Sequence, residues 1–136
     1  MYTYKHKVQY YETDKMGITH HSNYIRFMEE ARVAWMENMG WSYKKCEDLG
    51  MISPTLAVNC QYKKNTTFND VISINIKLKQ YNGLRLTIEY TMLKENEFVA
   101  FGETEHCFTN SHGLPIRIKK DYPEFNTILI HELDNT

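Results

Sequence analysis

The sequence predicts a two-layer α+β domain in which one long amphipathic helix packs on a five-stranded antiparallel sheet. Three observations carry this: a helical period over residues 24–39, strict alternation of apolar residues in the second half of the chain, and an Asn82-Gly83 pair between two alternating runs. A helix with one apolar stripe and a sheet with one apolar face bury each other. At 136 residues the chain can bury one core but hardly two, so residues 1–136 read as a single domain.

Tyr4, His6, Val8 and Tyr10 alternate with Lys5, Lys7 and Gln9, the pattern of a half-buried first strand. Residues 11–21 carry neither period and read as a loop, with Gly17 as a position where positive φ costs little. From Ser22 the period changes. Tyr24, Phe27, Met28, Ala31, Trp35 and Met39 fall three or four apart, predicting a helix of about four turns or more, with Ser22 as N-cap and Gly40 as its stop. Glu30 and Arg32 lie off that stripe and read as solvated charges. A shorter, polar helical piece spans 42–49, before Gly50.

After Pro54 the pattern is β. Leu56, Val58, Cys60 and Tyr62 form one alternating set, and Ile72, Ile74, Ile76 and Leu78 another. Asn82-Gly83 is a strong tight-hairpin signal, leading into Leu84, Leu86, Ile88, Tyr90 and Met92. Residues 94–97 turn again, and 98–108 make the fifth strand; these four strands are expected in consecutive hairpins. Residues 110–136 contain Gly113, Pro115 and Pro123, and little regular structure is expected there beyond a helical turn near 124–128.

A formal net charge of −1 gives no electrostatic reason to expect nucleic acid or an anionic membrane as partner. No stretch approaches the roughly 20 apolar residues of a membrane helix, and residues 1–7 lack the apolar core of a signal peptide, so a cytoplasmic protein without membrane insertion is expected. Cys46, Cys60 and Cys107 have long, unequal spacings, which fit reduced thiols better than a disulfide framework or a metal site.

The chemistry-bearing stretch is 10–24. Its polar groups fall between a strand end and a helix N-terminus, where backbone N–H groups and the helix dipole favour anions. Asp14 is either a turn residue bonding its own loop or a reacting carboxylate; His21 either a helix-entry residue or a participant in the chemistry. Glu12 reads as a solvated loop charge and His20 as incidental. Tyr24, Phe27, Met28 and Ala31 read as core, with one end of the stripe able to line a pocket.

The run Tyr10, Tyr11, Glu12, Asp14, Gly17, His21 and Tyr24, followed by Phe27, Glu29 and Ala31-Arg32, resembles the signature of the hot-dog-fold acyl-CoA thioesterases. The similarity is to the 4-hydroxybenzoyl-CoA thioesterase type, within it to the short-chain branch associated with the Tol-Pal system. It implies a five-stranded antiparallel sheet wrapped around one long helix, and hydrolysis of an acyl-CoA thioester to free acid and CoA. Asp14 would be nucleophile or general base, with His21 beside it, and the backbone N–H groups of His21 and Ser22 would polarise the carbonyl. Tyr11, Gly17 and Tyr24 would contact substrate, and Arg85, Arg117 and Lys119 match places where relatives hold the nucleotide end. Scattered surface cations are the plainer reading of those three.

No cofactor or metal is implied, CoA being part of the substrate. The resemblance further implies a homodimer joined edge to edge, with pairing into a tetramer left open. The alternative is a non-catalytic acyl-CoA or acyl-carrier-protein binding module, which needs the pocket but not Asp14; a hot-dog dehydratase would need acid/base motifs that this sequence lacks.

Overall fold

In the structure, a computed structural model describing residues 1–135, β1 (Tyr2–Lys7) passes through a 3₁₀ turn (Tyr10–Glu12) into α1 (Asn23–Met39). There follow α2 (Tyr43–Asp48), β2 (Thr55–Tyr62), β3 (Val71–Tyr81), β4 (Arg85–Lys94), β5 (Glu97–Cys107), α3 (Ile118–Asp121) and α4 (Pro123–Asp134). All five strands form one antiparallel sheet in the order β1-β3-β4-β5-β2, with α1 lying across one face.

Alternation decides which sheet face is inside. Ile72, Ile74, Ile76 and Leu78 of β3 and Leu86, Ile88, Tyr90 and Met92 of β4 are buried against Tyr24, Phe27, Met28, Ala31 and Trp35 of α1. Fully burying each such side chain stabilises the fold by about 1.5–3 kcal/mol before entropy is counted. Met28 of α1 packs directly on Gly102 of β5, where a Cβ would lie 2.5 Å from Met28 Sδ and 3.1 Å from the Asn59 carbonyl oxygen. Gly102→Val is therefore expected to lower stability by about 1–3 kcal/mol, the usual range for overpacking, read as a fall in denaturant midpoint at unchanged m-value. An unchanged midpoint would show that the helix can lift without cost.

Four expectations about the packed elements need correction. The first strand ends at Lys7, because Val8 turns inward to exchange backbone bonds with Asp70 and Asn69, and Tyr10 belongs to the 3₁₀ turn. β2 does not form a hairpin with β3; it crosses the sheet to pair with β5. The tail is regular: Pro123 opens a twelve-residue helix, α4, whose Phe125 stacks on Trp41 at 4.8 Å and whose Leu129 is buried. Pro suits the first turn of a helix, where no N–H is needed. Thr136 lies outside the described residues.

Arg32 is the fourth. Rather than facing solvent, its Nε donates to the Tyr43 hydroxyl at 2.8 Å and its Nη1 to the Tyr90 hydroxyl at 3.1 Å, inside the helix–sheet layer. Tyr90 and His106 both meet the Thr104 hydroxyl, at 2.6 and 2.7 Å. Burial, then the Arg32 charge, push the His106 pKa down to about 3, so this ring is neutral at pH 7.

The two sheet edges differ. β1 carries Lys5 and Lys7, charges that discourage further pairing, whereas β2 has no charged residue between Thr55 and Tyr62. Leu56, Val58 and Tyr62 are 44%, 40% and 45% exposed. Val58 and Tyr62 stand opposite buried Thr104 and Ala100, so they share the sheet face on which α1 lies and yet stay partly exposed.

Candidate active site

The stretch from Tyr10 to Ser22 is a tightly closed loop. An isolated bridge joins Thr13 to Thr19, the Asp14 N–H donates to the Ile18 carbonyl at 2.9 Å, and the Gly17 N–H donates to the Asp14 carbonyl at 2.9 Å. Gly17 has φ +78, a left-handed conformation that a Cβ would strain, although no neighbouring atom would obstruct one.

The loop is tied down from two sides. The Glu12 carbonyl accepts the His20 N–H at 2.8 Å and Asn23 Nδ2 at 2.9 Å, drawing the loop's two ends together. The segment before β3 clamps its tip: Thr67 Oγ1 donates to the Gly17 carbonyl, and Thr66 meets Thr19 through both main chain and hydroxyl. Sequence reasoning missed Thr66 and Thr67, since nothing local marks a residue whose partner is about fifty positions away.

Asp14 is half-buried at the head of this loop. Its Oδ1 accepts the Met16 N–H at 2.8 Å, the Asx-type turn bond expected of a turn residue, while Oδ2 has no partner among the described residues. One oxygen is thus a structural anchor, and the other is left without a protein partner among the described residues.

At the start of α1 the expected cap is absent. Ser22 is already helical, at φ −62 and ψ −24, and its hydroxyl bonds His20 Nδ1 at 2.8 Å instead of a backbone N–H. The Asn23 and Tyr24 N–H groups donate to the carbonyls of His20 and His21, so the first turn begins at His20. The His21 N–H donates to no group among the described residues, and the Ser22 N–H makes only a 3.3 Å contact with His20 Nδ1. His20, read as incidental, stacks on the His21 ring at 4.3 Å.

Of the other expected residues, Tyr11 is exposed beside the loop. Tyr24 is buried, its hydroxyl bonded to Thr66 at 2.9 Å and its pKa raised by burial; it supports the loop from beneath and stacks edge-on against Tyr62 at 5.1 Å. Tyr62 in turn donates to the His21 carbonyl at 3.0 Å, which fixes the β2 end to the helix start. Glu12 is not solvated: it is buried, and His6 Nε2 lies 2.8 Å from its carboxylate. Glu30 is likewise engaged, by the Tyr4 hydroxyl and by His6 Nδ1.

The cations stand elsewhere. Arg117, Lys119 and a further cation not anticipated, Lys120, line a cleft of about 530 Å³ with Asn82, Gly83 and Leu84. Arg85 lines a neighbouring hollow with Tyr81, Asn82 and Glu105. The register sets Lys7 beside Val71 and Tyr2 beside Ile76, so the Asp14 loop follows the sheet end where β3 begins, and these cations gather where β3 ends. Within one chain the structure does not bring them together.

Among the described residues, no group of three or more His, Cys, Asp or Glu could hold a metal ion, and no helix is long and apolar enough to cross a membrane.

A long helix wrapped by a five-stranded antiparallel sheet, with a carboxylate loop at the helix start, is the frame of a hot-dog thioester hydrolase. The profile of the Thioesterase-like superfamily matches residues 8–126, and the chain belongs to that family. A protein of Aquifex aeolicus provisionally named an esterase is 37% identical over 123 residues, covering 90% of this chain and 95% of its own. A Bacillus subtilis protein provisionally named the acyl-CoA thioesterase YneP is 30% identical over 89% of each chain. The crystal structure of DHNA-CoA thioesterase from Staphylococcus aureus superposes with a TM-score of 0.92 at 29% identity, over 98% of this chain and 92% of that one.

Proposed function

We propose that the protein hydrolyses acyl-CoA thioesters, with Asp14 as the reacting carboxylate and the N-terminus of α1 as the oxyanion site. The observation that supports this most is the pairing of a free Asp14 Oδ2 with an uncommitted His21 N–H on one closed loop. A module that only bound acyl-CoA would need the turn bond of Oδ1 but not the free Oδ2. The short-chain, Tol-Pal-associated branch is our finer reading and rests on the signature alone.

The chemistry asks for little. A leaving thiol with a pKa of about 8.5 departs as thiolate without a strong general acid. Asp14 Oδ2 takes a proton from water as the water oxygen bonds the thioester carbon, or itself attacks that carbon to give an anhydride that water then opens. In either route the carbonyl oxygen gains negative charge, which the His21 N–H, aided by the Ser22 N–H and the helix dipole, would stabilise; one such donor is typically worth about 3 kcal/mol of barrier. Collapse expels the CoA thiolate; in the first route the acid carries the water oxygen and Asp14 gives its proton up to solvent, and in the second water opens the anhydride to the acid and the regenerated Asp14 carboxylate.

The nucleotide end fits a dimer. Antiparallel pairing of β2 with its symmetry mate would set the Thr55 end of one chain beside the Tyr62 end of the other, so the partner's basic cleft would come to the sheet end that carries Asp14. Strand spacing would separate the Tyr62 end of β2 from the partner's β3–β4 hairpin by roughly 14–19 Å, the span of an extended pantetheine arm. Exposed apolar groups on an uncharged edge support this pairing.

A panel of short, long and aromatic acyl-CoAs, followed by thiol release, tests the reading: turnover of at least one class is expected, and none across the panel would refute it. Arg85→Ala or Arg117→Ala should raise KM for acyl-CoA about fivefold, as losing an exposed contact of about 1 kcal/mol would, while hardly changing hydrolysis of the matching pantetheine thioester. Equal damage on both substrates would show that these side chains serve structure.

A further inference from the structure

We propose that His6 is a positioning residue for the Asp14 loop, its doubly protonated ring bridging Glu12 at the root of the loop to Glu30 on α1. The proposal rests on Asp14 being the reacting group and adds to it how that group is held.

The geometry is specific. His6 is 9% exposed, its Nε2 lies 2.8 Å from Glu12 Oε1, and its Nδ1 lies 3.0 Å from Glu30 Oε1. A neutral imidazole has one N–H, so in either tautomer it would turn a lone pair toward one of these carboxylates; only the imidazolium donates to both. The Phe27 ring lies 4.1 Å from the imidazole, and no Lys or Arg among the described residues reaches either carboxylate. Glu12 would otherwise be a buried charge without a counter-ion, which is costly.

Every element around the ring is accounted for. Tyr4 on β1 donates to the same Glu30 oxygen at 2.8 Å, and the Gln9 N–H donates to the same Glu12 oxygen at 2.7 Å. α1 supplies Glu30 and Phe27, and the 3₁₀ turn supplies Glu12. Arg26, Glu29 and Glu37 line the outer groove that Glu30 and Tyr4 also border.

The link to the reaction runs through one residue. The side chain of Glu12 is gripped by His6, while its carbonyl holds both the His20 N–H and Asn23 Nδ2. Glu12 precedes Asp14 by two residues, and Asn23 opens α1, so its position sets where Asp14 stands relative to the His21 N–H. A displacement of about 1 Å at such a point can cost on the order of 100-fold in rate.

The bridge needs both ring N–H groups, so replacing the ring removes the tie between Glu12 and Glu30. The test is kcat and KM for the wild type, His6→Gln and Asp14→Asn, with ¹⁵N spectra of the wild-type His6 ring at pH 7. The expected results are a doubly protonated ring, and a His6→Gln enzyme whose kcat is about 10- to 100-fold lower with KM little changed. A neutral ring in the wild type, or a His6→Gln enzyme equal to the wild type in kcat, would overturn the proposal. If His6→Gln fails to fold, the wild-type spectrum decides alone. An active Asp14→Asn enzyme would instead overturn the reading of Asp14, a result distinct from the state of the His6 ring.

Discussion

Asp14→Asn is expected to fold as the wild type does and to lose about 10²- to 10⁴-fold in kcat, the range for removing a general base. The amide oxygen can still accept the Met16 N–H that Oδ1 accepts at 2.8 Å, so the turn is kept, and Gly17 continues to supply the φ of +78 that closes it. What disappears is the negative charge at Oδ2, which both proposed routes, attack on the thioester and activation of water, require. Thermal unfolding beside single-turnover thiol release separates the two effects. A variant turning over within a few-fold of the wild type would remove Asp14 from the chemistry, whereas one with a much lower Tm would show the carboxylate to be structural.

Val58→Asp is expected to turn a dimer into monomers at micromolar concentration and to lower kcat/KM for acyl-CoA by about 100-fold or more, because substrate positioning would lose one of its two sides. Val58 lies near the middle of Thr55–Tyr62, so a twofold contact along this strand would set the two new carboxylates close together across the axis. At 40% exposure within one chain it adds little to the core, and the monomer should stay folded. Sedimentation reads the assembly and circular dichroism the fold. A dimer that persists with full activity would move the interface away from β2.

The parts of the fold that were legible are those specified by neighbours in sequence. Ile72 to Leu78 and Leu86 to Met92 alternate without interruption, and the structure buries each of these inward residues in turn. Gly40, at φ +88, ends α1 where the periodic stripe stops. α4 was obscured because Pro123 reads as a breaker when it follows Gly113 and Pro115, although at the first helical position it is a starter. The partner of β2 was not legible because pairing with β5 is decided by the whole sheet, not by the turn that follows β2.

Charged residues misled for a related reason. Glu12, Glu30 and Arg32 look like solvated charges in a local window, and each is engaged by a group that the fold brings in: His6, Tyr4, Tyr43 or Tyr90. A signal for the first of these lay in the alternation of β1, where His6 occupies an inward position six residues before an acid. The Asp14 loop was visible as a motif, with Gly17 as its turn. The separation of Asp14 from Arg117 and Lys119 by the length of the sheet was not, since it depends on strand direction.

That separation makes the proposal of a site shared between two chains directly testable in a hybrid dimer, one chain carrying Asp14→Asn and the other Arg117→Ala with Lys119→Ala. If each site takes Asp14 from one chain and its cations from the partner, both defects fall in one site and the other stays native. The hybrid should then keep half the wild-type kcat per dimer at wild-type KM for acyl-CoA. Activity only at the raised KM of the cation-deficient homodimer would contradict the account, because it would place Asp14 and the cations that serve it on the same chain.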